Sequence, residues 1–150
     1  MNPSSSRLAQ SLLMLGLLLS LPGANMAQSD SSAPIRVALK GYDTVAYFTA
    51  GKPIKGTPNV SYDWDEGRYL FSSAKHRDMF AASPERYAPQ FGGLCAVGVS
   101  LGKKVEANPE HWVIVDGKLY LFSSLKAQES LQDDPGAIAL AHKASRQSSR

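Results

Sequence analysis

The chain has 150 residues, a formal net charge of +3 and one cysteine. Its length fits about one domain with a modest core. A single cysteine excludes an internal disulfide, and lysines and arginines scattered this thinly argue against nucleic acid or an anionic membrane as a partner.

The N-terminus reads as an export signal. Arg7 is the only charge before the apolar run Leu12–Leu21. That run is shorter than the roughly 20 residues a bilayer span needs, so a cleavable signal peptide over residues 1–27 is expected. Pro22 and Gly23 end the run, and the small residues Ala24 and Ala27 follow. Cleavage after Ala27 would put Asn25 at the −3 position and cleavage after Ala24 would put Pro22 there, which leaves the exact site open. No cysteine follows to carry a lipid anchor. The expected location is the periplasm or the extracellular space, with no stable membrane span after cleavage. Cutting after 27 of 150 residues leaves 123. Residues 28–34 read as a polar linker, 35–143 as the folded domain and 144–150 as a disordered tail.

The domain opens with a short strand, a glycine turn and a helix over IRVALKGYDTVAYF, residues 35–48. Asp43 is placed to cap that helix by accepting its free amide hydrogens. Two hairpins with helices behind them follow. In the first, residues 60–64 and 68–71 flank Asp65-Glu66-Gly67, and Ser72 or Ser73 caps a helix carrying Phe80 toward the core. Ser83-Pro84 starts a further turn, with proline at the first helical position. In the second, residues 111–115 and 118–122 flank Asp116-Gly117, a strong two-residue turn signal. Ser123 or Ser124 then caps a helix with Leu125 and Leu131, and Asp134-Pro135 opens a last helix with Ile138 and Ala141. YLFSSAK at 69–75 matches YLFSSLK at 120–126, so the two units read as an internal repeat sharing one core. The expected fold is a small single α+β domain of two related β-hairpin–helix units.

The first unit resembles the YHS-domain family, relatives of the metal-associated TRASH domains. The resemblance rests on Asp43-Thr44-Val45-Ala46, then Tyr69, Phe71-Ser72-Ser73, His76, Phe80, Pro84 and Tyr87. GYDTVAYF, the PERYAPQFGGLC segment and the VDGKLYL hairpin together are similar to an exported branch with a GYDPVAYF opening. The resemblance implies a YHS-like fold over most of residues 39–140. Family members that look metal-binding carry cysteines where this chain has Ala46, Ser72 and His76. Alanine offers no donor and serine a poor one, so the family's cysteine site does not carry over.

Cys95 ends a Gly92-Gly93 loop. Paired glycines let the backbone take positive φ or approach another group closely. The thiol is a buried structural group, a metal ligand, a reactive group or an intermolecular crosslink in a disulfide-linked dimer. His76 and His111 are candidate nitrogen donors beside it, and Met79 a candidate thioether, for a copper or zinc ion. There is no CxxC, GxSxG, HExxH, Walker-type or GxGxxG pattern. Asp43, Asp78 and Asn108 could assist a catalytic thiol, but no spacing ties them to Cys95. The first functional expectation is a non-enzymatic binding or accessory protein of the cell envelope, handling copper or a small cofactor through Cys95, with an envelope protein as partner. Alternatives are a thiol-based redox enzyme or sensor and a ligand-free interaction module.

Overall fold

A computed structural model describes residues 34–134 and 136–148. The expected signal peptide and all but the last residue of the linker lie outside the described residues. The fold is α+β. Strand β1 (Arg36–Val37) pairs in parallel with β3 (Gly67–Phe71), which pairs antiparallel with β2 (Thr57–Trp64). Strands β4 (Asn108–Val115) and β5 (Lys118–Phe122) form a separate antiparallel hairpin. The helices are α1 (Thr44–Thr49), α2 (Ala74–Ala82), α3 (Pro84–Tyr87), α4 (Ala96–Ser100), α5 (Leu125–Asp133) and α6 (Ala137–Ser148). None of them is long and apolar enough to cross a membrane.

Both hairpins turn on two residues with positive φ, the geometry that matches the right-handed twist of the strands. In the second hairpin these are Asp116 and Gly117 (φ 50° and 72°). In the first they are Asp65 and Glu66 (φ 47° and 61°), while Gly67 is already the first residue of β3, opposite Trp64. Glu66, not Gly67, is therefore the counterpart of Gly117. Strands β2 and β4 start three residues earlier than the β-rich runs imply, because each continues past an irregularity in its pairing: Thr57 to Ser61 in one, Asn108 to Trp112 in the other.

The same plan recurs at an offset of 51 or 52 residues. Val37 bridges Arg68 in parallel, and Pro89 bridges Leu119 in the same sense. Tyr42 bridges Lys55 as Leu94 bridges Glu106. The Asp43 amide donates to the Ile54 carbonyl, and the Cys95 amide to the Val105 carbonyl, both at 2.8 Å. A left-handed turn precedes each short helix: Leu39, Lys40 and Gly41 before α1, Phe91, Gly92 and Gly93 before α4.

Three apolar clusters make the core. Phe80 of α2 centres the first, with ring centroids 4.6 Å from Tyr69 and 5.2 Å from Phe71. Tyr120, Phe122 and Cys95 anchor another, covered by Leu131 and Ile138. Leu39 and Tyr47 meet Ala107, Leu119 and Leu121 in the third, where the two halves share their apolar surface. Tyr47 fixes that junction: its ring packs edge-on against Trp112 at 5.1 Å, and its hydroxyl donates to the Pro109 carbonyl at 2.9 Å.

The expected disordered tail of residues 144–150 is corrected over 144–148, and residues 149 and 150 lie outside the described residues. Helix α6 runs on to Ser148, because it buries Ala137 and Ala141 and packs Ile138 against the Cys95 cluster. An amphipathic helix docked along one face gains enough burial to stay ordered past its last core contact.

Candidate functional site

Asp43 and Cys95 occupy equivalent positions, each just before the first residue of a short helix. Asp43 is fully buried. Its Oδ1 accepts from the amides of Val45 and Ala46 at 3.0 and 3.3 Å, capping α1 as the sequence implies. Its Oδ2 accepts from the Ser72 amide at 2.8 Å and the Ser72 hydroxyl at 2.6 Å. His76 Nδ1 lies 2.7 Å from the same oxygen. A carboxylate only accepts, so this nitrogen carries the proton and donates. The far side of the ring, Nε2, lies 3.2 Å from Thr49 Oγ1, and that hydroxyl donates to the Val45 carbonyl at 3.1 Å. Five donors thus converge on one buried carboxylate. The result is a fixed negative centre that ties α1 to the end of β3 and the first turn of α2.

Each pair of serines divides its labour. Ser73 caps α2 through the His76 amide at 3.2 Å, and Ser124 caps α5 through the Ala127 amide at 3.2 Å. The serine before the first cap turns to Asp43, and Ser123, before the second, holds the equivalent place near Cys95 and acts to lower its pKa.

The Cys95 thiol, 1% exposed, sits where the Asp43 carboxylate sits in the first half. The sulfur makes no short capping bond to α4. The backbones of Val97 and Gly98 and the backbone and side chain of Ser123 act to lower its pKa. Val97, Gly98 and Ser123 are the counterparts of Val45, Ala46 and Ser72. Burial pushes the thiol pKa up, and these groups outweigh it, so the net shift is downward from the ordinary 9.0. The imidazole has no counterpart, since Ala127 stands where His76 stands and packs against the Cys95 cluster.

A thiol whose folded pKa lies below its unfolded value adds stability that is complete above the unfolded value and is lost as pH falls through the folded one. The stability difference between the wild type and Cys95→Ala is therefore expected to grow as pH rises toward 9.0. Urea titrations of both proteins at a series of pH values check this, and parallel curves would contradict it.

The four residues expected to hold a metal do not form one cluster. His76 is engaged with Asp43 and Thr49, Met79 packs against the Phe80 cluster, and Cys95 belongs to the Tyr120–Phe122 cluster. His111 is half-buried on β4. Among the described residues no three His, Cys, Asp or Glu side chains gather as a metal site requires. Ser72 gives its proton to Asp43 and His76 faces Asp43 and Thr49, so these residues do not fit a resident metal. The histidine of α6, His142, is half-buried. His142 Nε2 is 2.9 Å from the Tyr120 hydroxyl, and burial first, then Lys118 and Arg146, lower its pKa.

Sequence reasoning missed the roles of Ser72 and Ser123. The repeat carried part of the signal: the serine match has an offset of 51, which reaches Leu94 from Asp43, and the bridges of the fold show the one-residue shift that pairs Asp43 with Cys95.

No family model, no curated protein and no solved structure matches this chain.

Proposed function

We propose that the protein is an exported, non-enzymatic binding or accessory protein of the cell envelope that acts through Cys95. The observation that carries this reading is the place of the one cysteine: Cys95 precedes α4 where the Asp43 carboxylate precedes α1, with Ser123 in the place of Ser72, and the downward direction of its pKa agrees with that setting. A thiolate is the form that binds soft metals and cofactors. Its closest chemical match is copper(I). Cys95 supplies one ligand, so the remaining donors come from a partner protein or a small thiol, and the ion is shared or passed on. The two recurring hairpin–helix units are read as a YHS-like domain. This rests on the family resemblance, the serine pairs and the matching strand registers. The apolar run at residues 12–21 supports export.

The lowered thiol pKa favours one other reading, a thiol-based redox protein using the same sulfur. One set of measurements separates the two. The mature protein, Cys95→Ala and Ser123→Ala are titrated with copper(I) against a chromophoric chelator, in the presence of glutathione. The thiol is titrated in parallel by the pH dependence of its alkylation. One equivalent of copper held by the wild type and lost in Cys95→Ala supports the binding reading. Equal copper retention by both, or a thiol that no reagent reaches without denaturant, overturns it. A sulfenic acid or disulfide-linked dimer formed under mild peroxide, without copper binding, moves the assignment to redox chemistry. Ser123→Ala removes a hydroxyl donor to the sulfur, so alkylation near neutral pH is expected to slow about three- to tenfold. An unchanged rate would remove Ser123 from the thiolate's support.

A further inference from the structure

The second half departs from the first at its end. Helix α3 has four residues, whereas its counterpart α6 has twelve and lies against α4. Between the Phe91 turn, α4 and α6 this leaves an open groove of about 270 Å³. Its apolar wall is made by Phe91, Leu94, Val99 and Ala144, and Lys103 and Lys104 stand at its rim. These lysines are the one adjacent cationic pair in the folded region, both are exposed, and no ion pair among the described residues involves either.

Their position is built rather than incidental. The chain leaves α4 through a closed turn in which the Gly102 amide donates to the Val99 carbonyl at 2.9 Å and the Lys103 amide to the Gly98 carbonyl at 2.9 Å. Gly102 takes φ 70° there. This is the Schellman arrangement, which reverses the chain sharply after a helix and holds the next residues in a fixed direction. It sets both lysine backbones beside the apolar wall. The first half ends α1 at Gly51 (φ 64°) but has no long helix beyond to close a groove, so the feature belongs to the second half alone.

We propose that this groove binds a small amphipathic monoanion: an organic carboxylate whose apolar body lies against Phe91, Leu94 and Val99 and whose head pairs with Lys103 and Lys104. The volume sets the size. Pockets for drug-sized ligands start at about 300 Å³, so a body of roughly eight carbons suits this one. The charge sets the head group. Two ammonium groups without an ion-pair partner among the described residues, set beside a low-dielectric wall, favour a carboxylate and repel a cation. An apolar body without charge gains the wall contacts but not the head-group pairing. The site uses none of the donors that hold the Cys95 sulfur, so it stands or falls separately from the reading of that thiol.

The full mature protein is titrated with octanoate, with octylammonium, octanol and acetate as comparison ligands. Binding is read by calorimetry and by amide chemical-shift mapping. Octanoate is expected to bind one-to-one and to shift the amides of Phe91, Leu94, Val99, Gly102 and Lys103. Octylammonium and acetate are expected to show no saturable binding, and octanol to bind more weakly. The double variant Lys103→Gln/Lys104→Gln changes only exposed side chains and should keep the wild-type circular dichroism. It is expected to weaken octanoate about tenfold or more, from the loss of charged pairing. Cys95→Ala should bind octanoate as the wild type does. Equal binding of octanoate and octylammonium, an undiminished affinity in the double variant, or shifts confined to another surface would overturn the proposal.

Discussion

Replacing Asp43 with alanine is expected to remove a large share of the stability of this domain. The side chain is fully buried, and five donors point at its two oxygens: the amides of Val45, Ala46 and Ser72, the Ser72 hydroxyl and His76 Nδ1. Alanine leaves all five facing a cavity. A buried polar group left without its partner costs about 1–3 kcal/mol, and five donors are left so here. These costs do not simply add, since water can enter and the Ser72 side, which is exposed, can turn outward. A loss of about 3–5 kcal/mol is the expected result, set against a total of roughly 5–15 kcal/mol for a natural domain. Asp43→Asn keeps the shape but turns one acceptor into a donor. Whichever oxygen it replaces, the new NH₂ meets at least two groups that also donate, so recovery should be less than half. His76→Ala removes one donor of the five and should cost about 1–2 kcal/mol. Urea midpoints of the three variants test this order. A midpoint for Asp43→Ala within experimental error of the wild type would mean that the carboxylate does not organise the fold.

The same residue shows what the sequence made legible and what it did not. Asp43 reads as a cap because capping is local: an acceptor just ahead of an apolar stretch satisfies amides two and three residues on. The Asp116-Gly117 turn and the serine-capped helices are local in the same way. The contact of Asp43 with Ser72 spans 29 residues and that with His76 spans 33. Neither follows from propensity or periodicity, because both depend on how α1 packs against the end of β3. His76, taken alone, therefore reads as a free donor for a metal, while in the fold its Nδ1 is committed to a carboxylate. Cys95 is legible only in part. Gly92-Gly93 marks a special backbone but names no partner, and the serine offset of 51 falls one residue short of pairing Cys95 with Asp43; the fold supplies that shift and with it Val97, Gly98 and Ser123 as counterparts of Val45, Ala46 and Ser72. Helix α6 was legible in type but not in length, since the residues after Lys143 carry no apolar period strong enough to declare it.

Gly56→Ala is the other substitution expected to be severe, and for a different reason. Gly56 precedes β2, and its amide donates to the Gly41 carbonyl at 2.9 Å. On its other side it lies against the peptide joining Leu70 and Phe71. A Cβ there would collide with the Leu70 carbonyl carbon and oxygen and stand 2.6 Å from the Phe71 nitrogen. No side-chain rotation can relieve a clash with backbone, so β2 must draw away from β3 or the Gly41 bond must break. Either movement acts at the point where β3 delivers Ser72 to Asp43. Overpacking a tight site costs about 1–3 kcal/mol when side chains can yield. A backbone clash coupled to a buried carboxylate should cost about 3 kcal/mol or more. The equivalent position in the second half is Ala107, buried at 2%. There the same fold position already accepts a methyl group, so the sensitivity belongs to the close approach at Leu70 and not to the architecture. Ala107→Gly should accordingly cost only about 1 kcal/mol, from the lost methyl burial and added chain freedom. Thermal melts of the two variants check the contrast. A Gly56→Ala protein as stable as Ala107→Gly would show that β2 and β3 do not meet as closely as described. Hydrogen exchange adds a sharper readout: the Ser72 amide, bonded to Asp43 at 2.8 Å, should lose its protection in Gly56→Ala before the amides of β5 do.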